Sequence, residues 1–76
     1  MPKYLTDGRR HLVCRPYSVE GLHAMAEDLG IKRCWFHAGK LPHYDIPLRR
    51  VTEIEARCIR VSSREIVILV SSPPTP

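Results

Sequence analysis

Residues 18–30 constrain the fold more than any other stretch of the chain. Ser18 has the side chain of a helix N-cap, Glu20 stands in the first turn, and Gly30 can supply the left-handed stop. Between them Leu22, Met25, Ala26 and Leu29 recur at helical spacing and make one apolar stripe. Tyr17 and Leu22 occupy the staple positions either side of the cap. On the same wheel Glu20, His23 and Glu27 lie together at the flank of the stripe. A helix with one apolar face needs a layer to bury it against, and the flanking segments read as strands.

Residues 4–6 form a short first strand, Asp7-Gly8 a turn, and residues 11–14 a second strand ended by Pro16, together a β-hairpin. Residues 31–36 are expected to return to the sheet in extended form. A loop with Gly39 and Pro42 then carries His37, Lys40 and His43. Pro47 fits the first turn of a second helix that places Leu48, Val51 and Ile54 inward, with Asp45 as its N-cap. Residues 58–61 read as a further strand. Ser62-Ser63-Arg64-Glu65 has capping-box spacing, which favours a helix over a strand for residues 65–70 despite their β-branched content. The expected architecture is one small α/β domain over residues 4–70: a short N-terminal hairpin and a small mixed sheet with two to three helices. Residues 71–76 are expected to be a disordered tail.

Seventy-six residues leave room for one domain with a marginal core, which raises the prospect of a homodimer or of stabilisation by a ligand. Three cysteines, Cys14, Cys34 and Cys58, are odd in number and read as buried thiols in a reducing compartment. With no apolar run of membrane length and no signal-peptide start, the chain is expected in the cytoplasm, away from membranes. A formal net charge of +4 permits phosphate-bearing partners without requiring them.

The densest polar cluster is His37, Lys40, His43, Tyr44 and Asp45. Three readings stand. Asp45 can be a cap, with Tyr44 and His43 packing. The start of the second helix, with Lys40, Arg49 and Arg50, can be an anion site, where His43 donates to phosphate and Tyr44 and Trp35 stack on bases. Cys34, His37, His43 and Asp45 can be metal ligands, though their spacing matches no zinc motif. A nuclease metal on Asp7 and Asp45 is a further variant. His23 is either a half-buried packing residue or faces His43 across the end of the sheet, oriented by Glu20 or Glu27. The chain contains no nucleophile elbow, phosphate-binding glycine loop or dinucleotide fingerprint.

The segment order Asp7, His11-Leu12, Glu20-Gly-Leu-His23-Ala-Met-Ala-Glu-Asp-Leu-Gly30, Arg33-x-Trp35-Phe36, His43-Tyr44-Asp45 and Ser63-Arg64-Glu65 resembles a group of short bacterial and phage proteins, the domain of unknown function 4031. The resemblance implies a shared fold and a shared polar set of Asp7, His11, His23, Arg33, His43, Tyr44 and Asp45. It implies no activity. It counts against zinc at Cys34 and His37, which the family pattern does not require.

The leading expectation is a module that binds a phosphate-bearing ligand, nucleic acid or nucleotide, through Arg33, Trp35, His43, Tyr44 and Asp45, with His23 beside them. The alternatives are a small phosphodiesterase or nuclease using His23 and His43 as its acid–base pair, and a protein-interaction factor of phage-inhibitor type presenting Trp35, Phe36 and the arginines. No cofactor or metal is expected.

Overall fold

The structure, a computed structural model, describes residues 3–71. Five strands make one sheet: β1 (Lys3–Thr6), β2 (His11–Arg15), β3 (Phe36–His37), β4 (His43–Asp45) and β5 (Ile59–Arg60), in the order β3-β4-β2-β1-β5. β5 runs parallel to β1; the other pairings are antiparallel. Three helices accompany the sheet: α1 (Val19–Leu29), α2 (Val51–Glu55) and α3 (Ser63–Ser71). This is the mixed α/β domain with an N-terminal hairpin that the sequence suggests. Among the described residues no helix is long and apolar enough to cross a membrane.

The hairpin turns through residues 7–10, where Gly8 and Arg10 both take left-handed backbone, at φ 77° and 73°. Glycine does so freely; Arg10 is held there by its flanking bonds, since its Nε donates to the Ile46 carbonyl and its own carbonyl accepts from the Ile46 N–H. That exchange extends the pairing of β2 with β4.

Successive side chains of a strand point to opposite faces, so the register sorts them. Tyr4, Thr6, Leu12, Cys14, Phe36 and Tyr44 share the face that α1 covers. There Leu22, Met25, Ala26 and Leu29 are buried, as their stripe requires, and the Tyr4 hydroxyl donates to Asp28. Ser18 caps α1 by accepting from the Gly21 N–H at 2.9 Å. Gly30, at φ 72°, ends it, with the Ile31 N–H reaching the Ala26 carbonyl. The opposite face carries Leu5 and Val13 under α3, whose Ile66 is buried against them in one core. Beyond the edge of α3 the same face turns polar, with His11, Asp45, His43 and His37.

Four expectations need correction. Residues 31–36 are not one extended segment: Arg33–Trp35 forms a turn of 3-10 helix, and only Phe36 joins the sheet. Asp45 is no cap; it lies in β4, paired with His11 of β2. Leu48 is 73% exposed. The chain after Pro47 first makes a 3-10 turn, Leu48–Arg50, and the α period that buries Ile54 starts only at Val51. Ser71 belongs to α3 rather than to a tail, because its hydroxyl donates to the Val67 carbonyl; the rest of the expected tail lies outside the described residues.

Candidate active site

His11 opens β2, and His43 and Asp45 alternate along β4. Because His11 pairs with Asp45 and His37 with His43, pleating alone delivers all four side chains to one face. One possible ligand atom from each of His11, His43 and Asp45 lies within 4.8 Å of the other two. His43 Nε2 is 3.3 Å from Asp45 Oδ1, and His37 Nε2 is 2.9 Å from Asp45 Oδ2. The rings of His37 and His43 stack, 9° from parallel, while His11 meets His43 edge-on.

Both inner imidazoles are fixed from behind. His11 Nδ1 donates to Asp7 Oδ2 at 2.7 Å, and His43 Nδ1 donates to the Leu41 carbonyl at 2.7 Å. With Nδ1 engaged on each ring, Nε2 is the atom that each presents to the cleft. Asp7 itself is buried and takes two further donors, the Ser63 hydroxyl on Oδ2 and the Arg9 N–H on Oδ1. Burial by itself would raise its pKa, but hydrogen bonds from His11, Ser63 and Arg9 and the charge of His11 outweigh that and hold it down at about 2. Asp7 is thus a carboxylate at neutral pH, and it ties the hairpin turn, β2 and the start of α3 to one point.

A cleft of about 120 Å³ opens beside this cluster, lined by Asp7, His11, His43 and Ser63 on one side and by Leu41, Ile66, Val67 and Val70 on the other. No lysine or arginine lines it among the described residues. The Arg60 guanidinium lies against Gly8, the residue after Asp7.

The remaining expected site residues lie elsewhere. Tyr44 points to the α1 face and is 1% exposed, so it offers no stacking surface. Its hydroxyl shares a 2.7 Å hydrogen bond with His23 Nδ1, and the His23 ring packs edge-on against Phe36 and Tyr44. His23 therefore belongs with the core face and does not meet His43, which is on the other side of the sheet. Trp35 lines a separate groove with Lys32, Leu48, Arg49 and Arg50. Arg50 is engaged there, donating to the Leu29 and Gly30 carbonyls and to Glu53. Arg33 is exposed on the 3-10 turn, as is Cys34, which does not join the histidines. The anion site expected at the start of α2 lacks its basis: the helix is five residues long, and Asp45 is in a strand. Of the thiols, Cys58 is pushed up to about 11 by burial and by Glu55, and Cys14 is raised by burial, so neither is a ready nucleophile.

Of the expected residues, then, His43 and Asp45 come together, and they do so with His11, Asp7, His37 and Ser63. His37 and Asp7 are candidate metal ligands by sequence, and His11 belongs to the polar set that the resemblance implies. None of the three falls in the expected binding or acid–base set, and Ser63 has no expected role at all. The signal that could have found them is alternation: His43-x-Asp45 read as a strand puts both side chains on one face.

A family described as protein of unknown function (DUF4031) matches residues 6–72. No curated protein and no solved structure matches the chain.

Proposed function

We infer for this chain, which belongs to the DUF4031 family of proteins of unknown function, a hydrolytic role: it cleaves a phosphate ester at the cleft beside His11, His43 and Asp45. The observation that carries the reading is the fixed pair of imidazoles. Asp7 and the Leu41 carbonyl hold both rings by Nδ1, which leaves Nε2 of each ring free to converge with the Asp45 carboxylate, the three ligand atoms lying within 4.8 Å of one another. Such a set can hold a water and accept its proton. The water oxygen bonds to phosphorus as the bond to the leaving oxygen breaks, the water's proton stays with the cluster, and the leaving oxygen departs with the electron pair and takes up a proton. The apolar wall of Leu41, Val67 and Val70 receives the organic part of the ester. The net positive charge of the chain favours an anionic substrate.

The test is release of nitrophenolate from bis(p-nitrophenyl) phosphate and from p-nitrophenyl phosphate. The purified chain is expected to turn over at least one of them. His43→Ala should abolish that rate and Cys34→Ser should leave it unchanged. A rate no higher than buffer with both substrates, or one untouched by His43→Ala, sinks the reading.

A further inference from the structure

We propose that His11, His43 and Asp45 are the protein ligands of a divalent transition-metal ion of zinc type. The site is the one read above as hydrolytic; the identity of the ion's ligands rests on geometry, and only what the ion does there rests on that reading.

Three features converge on a metal. The first is the donor set. Two neutral imidazole nitrogens and one carboxylate leave coordination positions open, as catalytic metal sites do, and nitrogen donors favour a transition ion over magnesium or calcium. Neighbouring ligands around a tetrahedral ion with bonds of about 2.0–2.1 Å stand about 3.4 Å apart. His43 Nε2 and Asp45 Oδ1 already stand at 3.3 Å, and the whole set lies within 4.8 Å. Closing on an ion therefore asks His11 to approach the other two by no more than about 1.4 Å.

The second feature is the support behind each ligand. Metal-binding histidines donate their other N–H to a carboxylate or a carbonyl, and ligating carboxylates are themselves hydrogen-bonded. Here Asp7 stands behind His11, the Leu41 carbonyl behind His43, and His37 beside the second oxygen of Asp45. Each of the three ligands has its own supporting group, one from the hairpin turn, one from the end of β3 and one from the loop that joins β3 to β4.

The third is charge. Asp45 stands in the cluster and Asp7 lines the cleft beside it, with His11 hydrogen-bonded to Asp7 and within 4.8 Å of Asp45. No lysine or arginine is among the cleft's described lining residues. A divalent ion bound here supplies the missing positive charge, and with it the affinity for a phosphate that two carboxylates would otherwise repel. The ion then holds the attacking water and lowers its pKa. The proton released passes to the Asp45 Oδ2–His37 pair, and the imidazole lone pairs serve as ligands rather than as bases.

Calorimetric titration of EDTA-treated protein with zinc chloride, without any substrate, tests the assignment. One zinc per chain should bind saturably. His11→Ala, His43→Ala and Asp45→Asn should each abolish binding, and Asp7→Asn should weaken it about 10–100-fold. His23→Gln and Cys34→Ser should leave it unchanged. As a check independent of variants that might unfold, ring-nitrogen NMR of the unaltered chain should show zinc shifting Nε2 of His11 and His43 and sparing His23. No saturable binding, binding indifferent to the three ligand variants, or zinc-induced shifts confined to other histidines would overturn the proposal. The two readings separate cleanly: zinc binding without turnover removes the hydrolytic role and keeps the metal, while turnover that survives EDTA without zinc binding does the reverse.

Discussion

Asp7 shows how much one side chain can organise. It accepts three hydrogen bonds, from a turn, a strand and a helix start. Its pKa of about 2 lies below the ordinary carboxylate value of 3.8, so it binds protons more weakly folded than unfolded. Its contribution to stability is therefore present above about pH 4 and is lost as pH falls toward about 2. Urea midpoints measured across that range should drop steeply for the wild type and more gently for Asp7→Asn, because the variant has no carboxylate there to protonate. Gly21 makes a second prediction at this scale. Inside a helix Gly→Ala ordinarily gains about 0.5–1 kcal/mol. A Cβ at Gly21, however, would sit 2.9 Å from both Cys14 Sγ and the Ser18 Oγ that caps the helix. Gly21→Ala is expected to lower stability by about 1–2 kcal/mol in urea unfolding, the reverse of the propensity trend.

At the scale of elements, the legible parts were those with a local mechanism. α1 was readable because cap, stripe and stop all lie within thirteen consecutive residues, 18–30. α3 was readable for a similar reason: Ser62 Oγ accepts from the Glu65 N–H at 3.1 Å, as the capping-box spacing promised, and that local bond prevails over the β-branched content of the helix. β4 was not readable. Three residues, two of them polar, have no strand signature, and what makes them a strand is pairing on both sides with β2 and β3. Misreading Asp45 as a cap hid the site, because only a strand puts His43 and Asp45 on one face and Tyr44 on the other. Arg50, which the sequence offers as part of the positive charge around an anion site, is instead committed to the Leu29 and Gly30 carbonyls some 20 residues back, acceptors that no local pattern reveals. Since α3 forms the apolar wall of the cleft, loosening its start should be felt in the site. Ser62→Ala is expected to cost about 1 kcal/mol locally and to speed amide exchange in α3 about fivefold. The rate of ester hydrolysis should fall with it.

For the whole molecule the sheet is a partition. Around β4 one face, with Tyr44, His23, Phe36 and α1, is core; the other carries His11, His37, His43 and Asp45, the proposed site, next to the Leu5, Val13 and Ile66 packing under α3, and adjacent residues of β4 serve both faces. Perturbing one face should therefore leave the other intact. Tyr44→Phe removes a buried hydroxyl from its partner His23 and should cost about 1–2 kcal/mol in urea unfolding. Zinc affinity should be unchanged by the same substitution, whereas His43→Ala should do the opposite, sparing stability while losing the ion.

The hydrogen bond from Ser63 to Asp7 joins residues 56 positions apart. Its consequence lies in biosynthesis. A nascent chain emerging from the ribosome can present His11, His43 and Asp45 well before the start of α3 has left the exit tunnel, yet His11 is fully buttressed only once Ser63 arrives. The proposed site is therefore completed last, and chains cut short ahead of that helix should carry His11, His43 and Asp45 without the Ser63 bond that holds Asp7 behind His11.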